Sequence, residues 1–226
     1  MRFFGKLKEL LIFDVDGVLL DLMACFDKNL PNAAIEMGLD PAPITQYIND
    51  LRSGNKRGFS NVRDNIKWLY PHLSPLENEE LLQRFKKQEM ENPYPAIPRS
   101  KNTVFSLCRQ IPIALCTTNE LPALKHRLEY AEFNMNWFCY ISSWENGHPK
   151  PDPRALTIIT DSLKIPKENA LFVGDWYPDF ECAKAAGIEF VAVLSGGIPK
   201  HAFLREGVPE DHILNSLFDI TQIVKP

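Results

Sequence analysis

Two aspartates one residue apart, Asp14 and Asp16, close an apolar run, Leu10-Leu11-Ile12-Phe13, and Gly17 follows at once. Such a run bounded by a turn residue reads as a buried parallel strand. Open α/β sheets bind ligands beyond the carboxyl ends of such strands. Paired carboxylates there need compensation, and a hard cation such as Mg²⁺ supplies it, while Gly17 permits a sharp turn around them. Three more stretches carry groups of the same kind: Thr117-Thr118-Asn119, Lys150 between Pro149 and Pro151, and Gly174-Asp175 with Asp179. Each falls at a strand end or just beyond one. Singly they have ordinary roles, as helix caps, a solvated loop lysine or an acid at a helix start. Together they match the needs of phosphoryl transfer, which are a nucleophile, a cation on the phosphate oxygens and fixed donors for the remaining charge. A carboxylate can be that nucleophile, dividing hydrolysis into formation and breakdown of an acyl phosphate.

The elements that must position these groups alternate between strand and helix, with one interruption. From residue 22 to 97 only helical patterns occur, over 24–37, 44–51 and 62–69, and again after Ser74-Pro75-Leu76-Glu77. That last sequence is a capping box with proline at the first helical position, and Leu81, Leu82 and Phe85 give its helix an apolar stripe. Pro93-Tyr94-Pro95-Ala96-Ile97-Pro98 reads as an extended connector. Alternation then resumes. Helices are expected at 103–109, from about 120 to 130, at 154–163, 179–186 and 217–224. Strands are expected at 111–116, 137–142, 170–173, 190–194 and 212–214, with a turn at Ser195-Gly196-Gly197. The expected fold is α/β, a Rossmann-like doubly wound parallel sheet with helices on both faces and right-handed crossovers. An all-helical domain (22–97) is inserted into a core made of 1–21 and 98–226.

With these motifs in this order, the chain resembles the haloacid dehalogenase-like hydrolases, and within them the phosphatase branch with a helical cap inserted after the first motif (phosphoglycolate phosphatase and β-phosphoglucomutase types). The first motif is Phe13-Asp14-Val15-Asp16-Gly17-Val18 and the second the strand ending in Thr117-Thr118-Asn119. Lys150 carries the third, and Gly174-Asp175-Trp176-Tyr177-Pro178-Asp179 the fourth. The resemblance spans about residues 10–197. It implies that Asp14 attacks phosphorus, and that Asp16 first protonates the leaving alcohol and then deprotonates water. It implies Mg²⁺ held by the Asp14 carboxylate, the Asp16 main-chain carbonyl and Asp175, with Asp179 beside it. Lys150 would pair with Asp14 and the phosphate. In the second motif Thr117 binds phosphate if the hydroxyl directly follows the strand, and Thr118 if it directly precedes Asn119. The latter form is frequent in the family and inclines the reading to Thr118. The implied activity is Mg²⁺-dependent hydrolysis of a small phosphorylated metabolite. A phosphomutase of the β-phosphoglucomutase type shares these motifs. A phosphonatase would need a Schiff-base lysine from the insertion (Lys28, Lys56 or Lys67), and a non-catalytic binding module has no need of the clustered carboxylates. Dehalogenation of haloalkanoic acids is disfavoured by Asp16.

Bulk properties narrow the partners. The chain has 25 Lys and Arg against 29 Asp and Glu, a net charge of −4, and no long basic run, which argues against nucleic acid or an acidic membrane. The start, MRFFGKLKELLIF, has charges within its apolar segment and does not read as a signal peptide, and no stretch reaches membrane-spanning length. A cytoplasmic protein is expected. Cys25, Cys108, Cys116, Cys139 and Cys182 are odd in number and lack CxxC spacing, so reduced and mostly buried thiols are expected. Arg52, Lys56, Arg57 and Arg63 around Gly54 and Gly58 could receive the anionic end of a substrate, or form a solvated connector. Trp176-Tyr177 would pack under the site or narrow its entrance.

Overall fold

The computed structural model describes residues 1–58 and 61–225, and gives no side-chain description at positions 24, 25, 224 and 225, so Cys25 lies outside it. The chain opens with a hairpin, β1 (Arg2–Phe3) and β2 (Lys6–Leu7), turned at Phe4 and Gly5, both at positive φ. β3 (Leu10–Phe13) then enters the main sheet. The next four helices are α1 (Leu22–Glu36), α2 (Ala42–Arg52), α3 (Val62–Leu69) and α4 (Pro75–Glu91). The α4 capping box forms as the sequence predicts: Ser74 Oγ accepts from the Glu77 N–H and Glu77 Oε2 from the Ser74 N–H.

Beyond the insertion come α5 (Ser100–Leu107), β4 (Ile113–Cys116), α6 (Leu121–Tyr130), β5 (Tyr140–Ser142), α7 (Arg154–Leu163), β6 (Ala170–Gly174), α8 (Tyr177–Ala186) and β7 (Glu189–Val193). The chain closes with α9 (Lys200–Glu206), β8 (Ile213–Leu214), α10 (Ile220–Ile223) and β9 (Val224–Lys225). The strand expected at 111–116 starts only at Ile113, because Pro112 has no N–H to give to the ladder. The one expected at 137–142 shortens to Tyr140–Ser142, because Asn134 caps a 3₁₀ turn over Met135–Trp137 and accepts from the Asn136 N–H.

The main sheet is wholly parallel in the order β5-β4-β3-β6-β7-β8. Alternate strand residues serve its two faces. Leu10, Ile12, Ala170 and Phe172 pack with Leu156 and Ile159 of α7 and Ala183 of α8, while Leu11, Phe13, Leu171 and Val173 pack with Val104 of α5 and Leu124 and Leu128 of α6. Helices therefore cover both faces, as a doubly wound sheet requires. A separate antiparallel sheet, β2-β1-β9, ties the two ends of the chain together.

Topology fixes the site. From β3 the chain winds outward to β4 and β5, then crosses back to β6 on the other side of β3 and continues to β7 and β8. The order reverses around β3, and the crevice beyond the carboxyl ends of β3 and β6 is where such sheets take ligands. The helical insertion leaves and rejoins the core as a paired connection: the Asp21 N–H bonds the Pro95 carbonyl at 2.8 Å and the Ile97 N–H the Leu19 carbonyl at 2.9 Å.

Candidate active site

Asp14 is the first residue past β3, and its N–H still bonds the Val173 carbonyl of β6 at 2.9 Å. Asp175 follows β6 directly. Oxygens of Asp14, Asp175 and Asp179 lie within 4.8 Å of one another, and all three residues are buried. Lys150 reaches in from the loop before α7, its Nζ 2.8 Å from Asp14 Oδ1 and 2.6 Å from Asp179 Oδ1. Asp179 is the third residue of α8, so its carboxylate folds back over the helix start. Its Oδ2 accepts from the N–H of Asp175 at 3.1 Å and of Trp176 at 3.0 Å. Both of its oxygens are thus engaged within the protein.

One lysine does not balance three buried carboxylates. Burial raises Asp14 to about 7, with Asp179 and Asp16 adding to the rise and Lys150 opposing it. Asp175 is raised well above the ordinary carboxylate range, first by burial and then by Asp14 and Asp179. Burial works against the charge on Lys150, but Asp14 and Asp179 outweigh it and hold the ammonium firmly protonated. Asp175 Oδ1 is buried with no hydrogen-bond partner. Two glycines bring backbone against the same side chain: a Cβ on Gly17 (φ +79°) would lie 2.0 Å from Asp175 Oδ2, and one on Gly196 1.7 Å from it. Ser195 Oγ donates to the Gly17 carbonyl at 2.6 Å and so ties the turn after β7 to the turn after β3. An excess of negative charge, an oxygen with no partner and oxygen-only donors fit a divalent cation of the Mg²⁺ kind.

Asp16 stands apart from this cluster. Asn119 Nδ2 donates to its Oδ2 at 2.8 Å, and Arg127 Nη1 lies 3.1 Å from the same oxygen. Arg127 Nη1 also donates to Asn119 Oδ1 at 3.2 Å, closing a three-residue ring. In the second motif, Thr117 is buried and its Oγ1 accepts from the Asn119 N–H at 3.1 Å, while Thr118 is half-buried. The structure thus brings Asp14, Lys150, Asp175 and Asp179 into direct contact or near contact. It joins Asn119 to Asp16 and sets both threonines at the end of β4.

Arg127 was not marked by any motif, nor were Glu89 and Tyr94 beyond it. Arg127 Nη2 pairs with Glu89 Oε2 of α4 at 2.7 Å, its guanidinium lies 4.6 Å from the Tyr94 ring centre, and Tyr94 Oη donates to Glu89 Oε1. The basic cluster of the insertion is paired with carboxylates: Arg52 with Asp27, Lys56 with Asp50, Arg57 with Glu181 and Glu206, and Arg63 with Glu79. Lys56 also lies over the Trp68 ring. Trp176 lies against Gly58, where a Cβ would fall 2.2 Å from its ring, so this tryptophan packs on the loop between α2 and α3. Tyr177 is buried beneath Arg57 and beside Phe203. Cys116 and Cys182 are buried, whereas Cys108 is half-buried and Cys139 exposed, so burial holds for only some of the described thiols.

The chain thus combines a doubly wound parallel sheet, a helical insertion after β3 and an acidic crevice at the switch point of the sheet. A family model for haloacid dehalogenase-like hydrolases matches residues 11–193, and the chain belongs to that family. It is 26% identical over 202 residues to a phosphoglycolate phosphatase of Pseudomonas fluorescens, covering 85% of this chain and 71% of that protein. It is 27% identical over 201 residues to an N-acetylmuramic acid 6-phosphate phosphatase of Pseudomonas aeruginosa, covering 85% and 84%. Among solved structures, a hydrolase from Pseudomonas syringae superposes with a TM-score of 0.75 at 19% identity, over 95% of this chain and 96% of that one. A haloacid dehalogenase-like family protein from Streptococcus pneumoniae gives 0.74 at 16%, over 95% and 97%. At those identities the likeness is one of fold. No described helix is long and apolar enough to cross a membrane.

Proposed function

We propose that this protein hydrolyses phosphate monoesters of small metabolites through an aspartyl-phosphate on Asp14, with Mg²⁺ as its cation. The observation that carries the reading is the buried trio Asp14, Asp175 and Asp179 around a single lysine at the switch point of the sheet. The Asp14 carboxylate attacks phosphorus while the bond to the ester oxygen breaks, and Asp16 gives that oxygen its proton. Asp16 then takes a proton from the water that attacks the acyl phosphate, releasing phosphate and restoring Asp14. Lys150 pairs with Asp14 and is the fixed cation for the phosphate oxygens. Asp14, Asp175 and the Asp16 main-chain carbonyl are the groups that would hold Mg²⁺, which when bound supplies charge neutralisation at the phosphate oxygens. Asp179, with both oxygens engaged, acts by holding Lys150 and the backbone of Asp175. Thr117 is the better candidate for the phosphate-binding hydroxyl: Asn119 fills an acceptor site on its buried oxygen, so its O–H remains to donate. The helical insertion, residues 22–97, serves as a cap that shields the site from water.

The similar proteins named as phosphatases of phosphoglycolate and of N-acetylmuramic acid 6-phosphate support a small phosphorylated substrate. Such an enzyme would work in the cytoplasm, in keeping with the free thiols of Cys108, Cys116, Cys139 and Cys182. The test is phosphate release from aryl phosphates and from a panel of small alkyl phosphates, with and without Mg²⁺, for the wild type and Asp14→Asn. Mg²⁺-dependent release that disappears in the variant supports the reading. Release unaffected by Asp14→Asn, or none from any ester, would overturn it.

A further inference from the structure

Arg127 is a buried cation gripped from two sides. On one side it meets Asp16 and Asn119, and on the other Glu89 of α4 and Tyr94 of the returning connector. We propose that Arg127 is a positioning residue for Asp16, and that Glu89 and Tyr94 hold it there, so that the seating of the helical insertion on the core is transmitted to the acid–base group. The proposal rests on the phosphatase reading given above.

A guanidinium has its donors in one rigid plane, so whatever fixes the plane fixes the direction of every hydrogen bond it makes. Here the plane is set from outside the core. Glu89 takes Nη2, the Tyr94 ring lies alongside, and the Tyr94 hydroxyl donates to the other oxygen of Glu89. Nη1 is then aimed at Asp16 and Asn119. The Arg127 side chain is only 6% exposed, so it is not available to bind a substrate anion directly.

Glu89 is the informative member. Asp16 and Asn119 alone would give Arg127 a charge partner, and burying a second carboxylate beside them is unfavourable unless its geometry is used. Glu89 belongs to α4, so the network exists only with α4 seated on α6. That seat is flanked by Lys86 with Glu120 at 2.7 Å and by His126 Nε2 against the Met90 carbonyl at 3.2 Å. An acid that must reach a leaving oxygen is sensitive to placement, since a shift of about 1 Å can lower a rate about 100-fold.

The test is a series of aryl phosphates of graded leaving group: 2,4-dinitrophenyl, 4-nitrophenyl and phenyl phosphate. kcat/KM reports the steps through departure of the phenol. Dinitrophenolate leaves without a proton, whereas phenolate gains from one. If Arg127 positions the acid, Arg127→Met loses at least about 10-fold more on phenyl than on dinitrophenyl phosphate. Glu89→Gln then shifts the series in the same direction by less, and the double variant is no worse than Arg127→Met alone. The double variant also removes both buried charges together, so it tests the proposal should Arg127→Met fail to fold. Equal losses across the series, or losses that multiply in the double variant, overturn the proposal. Asp14→Asn is run in parallel on dinitrophenyl phosphate. An inactive Asp14→Asn with a flat Arg127 series removes only this proposal, whereas an active Asp14→Asn removes the reading beneath it.

Discussion

Gly196→Ala is the sharpest probe of the cation site, because it adds one methyl group and leaves every charged residue in place. Gly196 ends the 3₁₀ turn Leu194–Gly196 after β7, outside the left-handed region, so alanine meets no backbone strain there. The obstacle is contact. The new Cβ would stand 1.7 Å from Asp175 Oδ2, 2.4 Å from its Cγ and 2.6 Å from its Cβ. Non-bonded carbon contacts settle at about 3.5–4 Å, so the carboxylate must retreat by more than about 1 Å. The Gly17 backbone presses on the same oxygen from the turn after β3, so the retreat has to turn Asp175 out of its present seat. Disturbing a residue that merely orients a metal ligand lowers affinity by about 10–100-fold, and displacing the ligand itself should do no less. Overpacking adds a stability loss of about 1–3 kcal/mol. The assay is titration of Mg²⁺ into wild type and Gly196→Ala by calorimetry, with activity followed against Mg²⁺ concentration. The variant is expected to stay folded, to need at least about 10-fold more Mg²⁺, and to recover activity when that is supplied. A folded Gly196→Ala with wild-type Mg²⁺ dependence would refute the assignment of Asp175 to the cation.

Two further outcomes follow from the charge imbalance. Without metal, Asp14 titrates at about 7 rather than 3.8. Between those values the folded protein keeps a proton that the unfolded chain has released. This contribution is therefore fully present below pH about 4 and lost as pH rises through about 7, with a size of order 4 kcal/mol. Mg²⁺ competes with that proton, so it should raise Tm more at pH 8 than at pH 5, and calorimetry giving the opposite order would exclude Asp14 as a ligand. Lys150→Met leaves Asp14 and Asp179 buried without their cation, and should cost about 3–5 kcal/mol in metal-free denaturant unfolding. Mg²⁺ should restore part of this loss, and a Lys150→Met protein as stable as wild type would mean that the pairing is energetically idle.

What the sequence made legible follows the range of the interactions involved. β3, β4 and β6 were readable because a buried parallel strand is an apolar run ended by turn residues, a signal held within six or so positions. Asp14, Thr117, Thr118 and Asp175 inherit that legibility, since each sits one or two residues past such a run. The capping box at Ser74 and Glu77 is local in the same way. The small sheet of β1, β2 and β9 gave no such signal. Its strands are two residues long, its turn places a phenylalanine at φ 48°, and one partner comes from the far end of the chain. The basic residues of the insertion were visible as cations, yet whether they face a substrate or a carboxylate depends on partners such as Glu181 and Glu206 that only folding brings near. Asp179 belongs to an intermediate case. Its spacing from Asp175 marked it, but its position as the third residue of α8 turns one oxygen onto the helix start and leaves the other for Lys150. The Glu89–Arg127–Asp16 chain is the extreme. The one arginine of α6 and one of the several glutamates of α4 look like surface charges on amphipathic helices until the two helices are packed together. Most groups proposed to touch the phosphate sit at strand ends and so leave a pattern, with Lys150 reaching in from the loop before α7, whereas groups that align those first ones can come from any element that packs nearby. The first kind is found by motif, and the second only by asking which buried charges the motif residues touch.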